Sequence, residues 1–156
     1  MRIAPPLFGE HRWRMWQMIY FWTLSSCCET LLIISIIPME GNLNIAQQWI
    51  AGFNTKDLDG LLALYDANAQ HFSPKLKARL PETKGLIVGH AAMREWWHDA
   101  FTRLPLLHYA PRQFTIQDNR VFIEYIRQTP GEEDMDVAEY LEIEHGKIVR
   151  SRVYHG

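Results

Sequence analysis

The chain has 156 residues, of which 47% are hydrophobic and 22% charged, enough for a single domain with a buried core. Its formal net charge of −2 gives no reason to expect nucleic acid as a partner. The two cysteines, Cys27 and Cys28, are adjacent, so a disulfide between them would be strained. The remainder of the chain has no cysteine, which excludes disulfides and thiolate metal sites there.

Residues 1–38 differ in composition from the rest, because they lack Lys, Asp, Asn and Val and contain a long apolar run, Met15–Ile37. A basic start before an apolar run is typical of a signal peptide, but no small-residue cleavage site follows. The run is long enough for a membrane anchor, although Glu29 opposes one. Composition favours a third interpretation, in which Met39 is the true initiator and residues 1–38 are translated non-coding sequence.

We therefore predict a domain over residues 39–156 that follows an N-terminal extension over residues 1–38. The expected location is cytoplasmic. Membrane anchoring or export through residues 1–38 is expected only if that extension belongs to the natural protein.

Three helices are predicted in the first half of the domain. Asn44–Asn54 has apolar residues at helical spacing. Asp57 is a suitable cap for a second helix, Leu58–Tyr65, with a leucine-rich stripe. The third helix, Ala91–Phe101, has a heavy apolar face that includes two tryptophans.

The segments between these helices are predicted to be irregular or short. Gln70–Pro74 is expected to be a short strand, and the basic, proline-containing stretch Lys75–Gly85 a solvated loop. Leu104–Ala110 is expected to be irregular because of Pro105 and Pro111.

The second half of the domain predicts strands. Arg112–Gln117 and Arg120–Gln128 flank a hairpin turn at Asp118-Asn119. After an acidic turn, Asp136–Gly156 predicts a second hairpin that reverses at His145-Gly146, where the glycine can take a positive φ.

One acidic residue of this last hairpin lies on a strand face that is otherwise predicted to be apolar. Alternation puts Glu139 on the same strand face as Val137 and Leu141, which are predicted to be core. A carboxylate on an apolar face is either paired or part of a site. The two alternatives for Glu139 are a cavity site and a salt bridge across the hairpin to Arg150 or Arg152.

Helices segregate to one end of the sequence and strands to the other, which indicates an α+β fold. Three helices lying across one face of a curved antiparallel or mixed sheet would enclose a pocket lined by alternate strand residues.

The chain resembles the SnoaL-like branch of the nuclear-transport-factor-2-like superfamily over about residues 44–155. The resemblance rests on the order of W-x3-F-N-x2-D-L-D-x-L-L-x-L-Y, H-F-S-P, G-x2-A-M-R-x-W-W and V-A-E-Y-L-E-x4-G-K-I-V-R-x-R-V-Y-H. It implies a cone-shaped α+β fold with a deep cavity, and a homodimer formed through the outer sheet face. The superfamily includes ketosteroid isomerases, polyketide cyclases, limonene-epoxide hydrolases and scytalone dehydratases, so the fold does not decide the function.

The isomerase pattern is only partly kept. Its late-strand acid falls on Glu139, but its tyrosine falls on Trp49 and its aspartate base on Ser73. Simple ketosteroid isomerase activity is therefore not expected. Epoxide hydrolysis is not expected either, because no pair of aspartates accompanies Arg127 on the long strand.

Other polar and aromatic residues are predicted to line the cavity. We expect His71, Tyr125 and His155 to act with Glu139 in acid–base chemistry, with Glu139 and His71 as the acid–base pair and Tyr125 as a carbonyl donor. The predicted substrate-binding residues are Trp49, Tyr65, Ser73 and Trp97.

The predicted function is isomerisation, cyclisation or dehydration of an apolar, carbonyl-bearing small molecule without a cofactor. The alternative is a non-catalytic ligand-binding or dimerisation module. His71 could equally be a core histidine with its hydrogen bonds satisfied, and His155 is close to the terminus. A metal site made by Glu139, His71 and His155 is disfavoured, because the sequence has no strong metal-ligand spacing.

Overall fold

The computed structural model describes the backbone of residues 25–156 and the side chains from Glu40 onward. The chain divides into two compact units, Met1–Ile37 and Pro38–Gly156, and the second contains all the side chains described below. The predictions for residues 1–38 lie outside the described side chains. In the described part of the chain, no helix is both long and apolar enough to cross a membrane.

The residues that the structure describes form four α-helices and six strands. The helices are α1 (Ser25–Thr55), α2 (Leu58–Leu64), α3 (Pro74–Arg79) and α4 (Gly89–Arg103), with a short 3-10 helix at Pro81–Thr83. The strands are β1 (Tyr65–Phe72), β2 (Leu86–Val88), β3 (His108–Gln117), β4 (Arg120–Gln128), β5 (Met135–Glu144) and β6 (Lys147–His155). The predicted α+β class is confirmed.

The six strands form one curved, open sheet in the order β2-β1-β6-β5-β4-β3. Strands β1 and β6 run parallel, and every other neighbouring pair is antiparallel. The last hairpin places β6 at the centre of the sheet, between β1 and β5. The concave face therefore gathers alternate residues from β1, β6, β5 and β4.

Local sequence signals explain several of these elements. The Asp57 carboxylate accepts a hydrogen bond from the Gly60 N–H at 2.9 Å, which caps α2 as predicted. His145 and Gly146 both have positive φ, 50° and 74°, so the β5–β6 reversal has the backbone of a type I′ hairpin turn. The predicted core faces of β4 and β5 are buried.

Three predictions of local structure are wrong. The stretch Lys75–Gly85 is not a plain loop, because Pro74 starts a short helix there and Pro81 starts the 3-10 turn. Tyr65 begins β1 and does not end α2, so the strand is longer than Gln70–Pro74. Strand β3 begins at His108 and runs through Pro111, because a register shift between Pro111 and Gln113 accommodates the proline.

The core lies between the sheet and the helices. It joins aromatic side chains of α1 and α4 to the apolar residues of the inner sheet face. Within it, Trp49 of α1 lies close to Phe53, Tyr109 and Tyr125, with ring centroids 4.4–6.1 Å apart. Phe53, Tyr109 and Tyr125 of this aromatic cluster also line the cavity described below.

Candidate active site

A cavity of about 280 Å³ lies between the inner sheet face, α3 and α4. Its apolar wall includes Phe53, Trp96, Trp97, Leu104, Leu107, Val137 and Val153. Its polar and charged wall includes His71, Ser73, Lys75, Arg79, Arg103, Tyr109, Tyr125, Arg127, Glu132, Glu139 and His155. A cavity with this mixture of side chains suits an apolar molecule that bears a few polar groups.

Glu139 occupies the middle of the sheet, opposite Ile123 of β4 and Val153 of β6. Its side chain is 1% exposed, and neither carboxyl oxygen has a hydrogen-bond partner among the described residues. Burial raises the pKa of Glu139 well above its usual value of 4.5, although the nearby Ser151 hydroxyl lowers it. The carboxyl group therefore favours its protonated form inside the fold.

The proposed salt bridge from Glu139 to Arg150 or Arg152 is absent. Arg150 pairs with Glu142, 3.0 Å apart, and the Arg152 guanidinium lies 4.2 Å from the Phe72 ring centroid. The site interpretation of Glu139 is thereby favoured, because alternation on β5 and β6 sends both arginines to the other sheet face.

His71 lies beside Glu139, on β1. Its Nδ1 atom is 4.0 Å from Glu139 Oε1 and 2.7 Å from Ser151 Oγ. Burial lowers the pKa of His71 from 6.5 to about 4, so the imidazole is neutral at neutral pH. The direct partner of this histidine is thus Ser151, and Glu139 is a near neighbour beyond hydrogen-bonding distance.

A chain of buried hydrogen bonds fixes Ser151. The Trp49 indole N–H donates to Tyr65 Oη at 2.8 Å, and Tyr65 Oη–H donates to Ser151 Oγ at 3.2 Å. Because indole can only donate, the direction of this chain is set at Trp49. When His71 Nδ1–H also donates to Ser151 Oγ, His71 Nε2 is left as a lone-pair acceptor for a bound molecule.

Two tyrosines flank the carboxyl group. Tyr109 of β3 and Tyr125 of β4 have ring centroids 4.5 Å apart, and both line the cavity. Burial raises the pKa of both phenols above its usual value of 10.0, so they remain O–H donors. Tyr125 was expected here and Tyr109 was not, because β3 was predicted to start only after Pro111.

The predicted site residues fall into two groups. His71, Ser73, Trp97, Tyr125, Glu139 and His155 line the cavity. Trp49 and Tyr65 do not line it; they are buried behind its wall and hold Ser151. Val137 pairs with His155 across the β5–β6 hairpin, which brings the last strand residue to the cavity.

Two further groups of the site are not among the predicted residues: Ser151, which is fully buried and does not itself line the cavity, and Lys75, which does. Ser151 lies two residues before Val153 and four before His155, so strand alternation from the predicted His155 would have identified it. Lys75 was assigned to a solvated loop, yet it is half-buried on α3 and lines the cavity. No group of three or more His, Cys, Asp or Glu side chains in the described residues could hold a metal ion.

Comparison with known proteins identifies the family and the fold. A family model of the SnoaL-like domain matches residues 46–151. A SnoaL-like protein of unknown function from Burkholderia thailandensis shares the fold, with a TM-score of 0.68 and 20% identity over 75% of this chain and 95% of its own. No curated protein matches the chain.

Two further solved structures have the same fold. TerC, co-crystallised with polyporic acid, has a TM-score of 0.65 and 23% identity over 74% of this chain and 92% of its own. A proposed ketosteroid isomerase from Kribbella flavida has a TM-score of 0.59 and 15% identity, over 75% of this chain and 78% of its own. At these identities the likeness establishes the fold alone.

Proposed function

Because this chain belongs to the SnoaL-like family, we propose that it is a cofactor-independent enzyme acting on an apolar, carbonyl-bearing small molecule. The reaction is proton transfer next to a carbonyl group, leading to isomerisation, cyclisation or dehydration. The observation that carries this proposal is the Glu139 carboxyl group, buried without a hydrogen-bond partner beside a neutral imidazole. A bound molecule would supply the missing partner.

Burial assigns opposite roles to the two groups. It raises the pKa of Glu139 and lowers that of His71, so it favours the protonated carboxyl group and the neutral imidazole. Glu139 is accordingly the acid and His71 the base. Groups whose environments separate their proton affinities in this way are typical of acid–base sites.

The proposed step balances within the cavity. His71 Nε2 takes a proton from the carbon next to the substrate carbonyl, and Glu139 gives its proton to the carbonyl oxygen, which forms an enol. Tyr125 donates a hydrogen bond to the same oxygen as its charge develops. The His71 imidazolium then gives its proton to another carbon, which yields an isomer, or to a β-hydroxyl group, which leaves as water. In both cases the enol O–H proton returns to Glu139 and the carbonyl group is restored.

Deuterium exchange tests this chemistry without knowledge of the natural substrate. In D2O, the protein should accelerate exchange at the α carbons of an apolar ketone such as 2-tetralone or an aromatic keto acid such as phenylpyruvate, followed by proton NMR. Glu139→Gln should cut that acceleration at least about tenfold, at the low end for acid–base residues. Glu144→Gln, an exposed acid on the same strand, is the matched control.

The second candidate is a binding module without catalysis. It is favoured by Trp49 and Ser73, which stand where isomerases carry a tyrosine and an aspartate, since Ser73 cannot act as a base unaided. Ligand binding in a thermal-shift screen without any accelerated exchange would support this candidate and end the enzymatic proposal. An exchange rate unchanged by Glu139→Gln would end the assignment of Glu139 as the acid.

Pairing of two copies through the outer sheet face stays a prediction. Phe122 and Tyr154 are 40% and 47% exposed there, and Phe122 packs against Tyr140 with ring centroids 5.2 Å apart. Light scattering of wild type and Phe122→Glu would test it, with a dimer expected for the first and a monomer for the second.

A further inference from the structure

Cationic side chains crowd the cavity wall on the side of α3 and α4. They are Lys75, Arg79, Arg103 and Arg127. The wall also has two carboxyl groups, Glu132 and Glu139, and burial favours the neutral form of the second. The cavity is therefore positively charged, although the whole chain is slightly negative.

Three of these four cations already have carboxylate partners. Arg127 Nη1 is 2.6 Å from Glu132 Oε2. Arg103 Nη2 is 2.8 Å from Asp99 Oδ2, and Arg79 Nη2 is 3.7 Å from the same oxygen. Among the described residues, Lys75 is the cavity cation that forms no ion pair.

Lys75 also has basic neighbours. Burial and then the charge of Arg127 lower the pKa of Lys75, and the charge of Glu132 raises it by less. Burial and then the charges of Lys75 and Arg127 lower the pKa of His155. Three basic groups on α3, β4 and β6 therefore converge, and an anion placed among them would relieve their mutual repulsion.

We propose that Lys75, supported by Arg127, binds a carboxylate group of the substrate. The substrates of the proposed enzyme are accordingly apolar acids. This inference rests on the proposed function, because it takes this cavity as the substrate site. The apolar wall holds the body of the molecule, while the ammonium group holds the carboxylate through a charge-assisted hydrogen bond. His155 lies close enough to sense the bound charge.

Two probes of nearly the same shape test the proposal by binding alone. 2-Naphthoate carries a carboxylate, and 2-naphthamide is its neutral counterpart. Quenching of tryptophan fluorescence reports binding, because Trp96 and Trp97 line the cavity. The full-length wild-type protein should bind naphthoate about tenfold more tightly than naphthamide, as expected for a hydrogen bond between two charged groups.

Substitutions on α3 identify the charge responsible. Lys75→Met should reduce naphthoate affinity about tenfold and leave naphthamide affinity within about twofold. Lys75→Arg should keep the preference for naphthoate over naphthamide, because arginine retains the positive charge. This variant would also show that a substitution at position 75 leaves a folded, binding protein. Lys77→Met is the matched control, since Lys77 is exposed on the same helix and does not line the cavity.

Equal affinities of the wild type for the two probes would overturn the proposal, as would a preference that survives Lys75→Met. Failure of the wild type to bind naphthoate at millimolar concentration would also count against it. These results are separate from the test of catalysis. Loss of the anion preference with Glu139-dependent exchange intact would remove the carboxylate assignment and leave the proposed enzyme standing.

Discussion

The Nδ1 atom of His71 lies 4.0 Å from Oε1 of Glu139, and both side chains are almost completely buried. A histidine and a glutamate at this separation in water would form an ion pair. Here burial favours the neutral form of each, because desolvation raises the pKa of the acid and lowers that of the base. The pair is thus held as one proton donor and one proton acceptor.

The stability of the Glu139→Gln variant should depend on pH differently from that of the wild type. The folded pKa of Glu139 lies above the unfolded value of about 4.5, so its contribution to stability is full below 4.5 and is lost as the pH rises through the folded pKa. Glutamine has no such loss, so the variant should gain in unfolding free energy relative to wild type as the pH increases from 4.5 to 8. Urea unfolding at several pH values measures this.

Glu144→Gln serves as the control for that series, because Glu144 is the same residue type, exposed on the same strand. Its unfolding free energy, plotted against pH, should stay parallel to that of the wild type. If Glu139→Gln also stays parallel, the carboxyl group is not protonated by burial.

His71 should produce a pH dependence of the opposite sign. Its folded pKa of about 4 lies below the unfolded value of 6.5, so the unfolded chain binds the extra proton first. The contribution of His71 to the free energy of unfolding is full above pH 6.5 and is lost as the pH falls towards 4. The loss is about 3 kcal/mol, since each pKa unit corresponds to about 1.4 kcal/mol. The free-energy difference between wild type and His71→Asn should therefore shrink between pH 7 and 4.5.

His98→Asn is a suitable comparison, since His98 is an exposed histidine on α4. A difference between wild type and His71→Asn that is constant with pH would show that His71 titrates normally in the folded protein.

Ser151→Ala should disturb the orientation of His71. The substitution leaves His71 Nδ1 and Tyr65 Oη without their partner, at a cost of about 1–3 kcal/mol in unfolding free energy. Beyond stability, nitrogen-15 NMR should show a different tautomer balance for His71, and ketone exchange should slow. Ser151→Thr, which keeps the hydroxyl group, should restore the wild-type tautomer. An unchanged tautomer in Ser151→Ala would mean that Ser151 has only a packing role.

Two glycines of α1 should respond in opposite ways to alanine. A Cβ at Gly52 would lie 2.8 Å from Leu61 Cγ in the core, so Gly52→Ala should destabilise by about 1–3 kcal/mol through overpacking. A Cβ at Gly41 meets nothing within 4 Å, so Gly41→Ala should stabilise by up to about 1 kcal/mol through helix propensity. Thermal unfolding of both variants checks the close contact of α1 with α2, and a neutral or stabilising Gly52→Ala would contradict it.

Much of this arrangement could be predicted from the sequence because strand alternation is strict. The face carrying Val137, Glu139 and Leu141, and the turn at His145-Gly146, are both explained by local rules. From these, the position of Glu139 near His71 follows once β1 is placed beside β6.

The features that could not be predicted from the sequence depend on contacts between distant segments. Pro111 ends a strand in most settings, and only the register shift in β3 allows Tyr109 to reach the cavity. Lys75 belongs to a six-residue helix that has too few residues for a periodic signal. Trp49 has the aromatic character of a substrate wall, yet its N–H is used by Tyr65 in the core.

The central claim is that Glu139 keeps its proton at neutral pH, and NMR titration of the carboxyl carbons measures this directly. In protein labelled with carbon-13 at the glutamate side chains, the Glu139 signal is assigned by its loss in Glu139→Gln. The account predicts a carboxyl carbon that is still protonated at pH 7. A Glu139 signal that titrates near its ordinary value of 4.5 would contradict the claim.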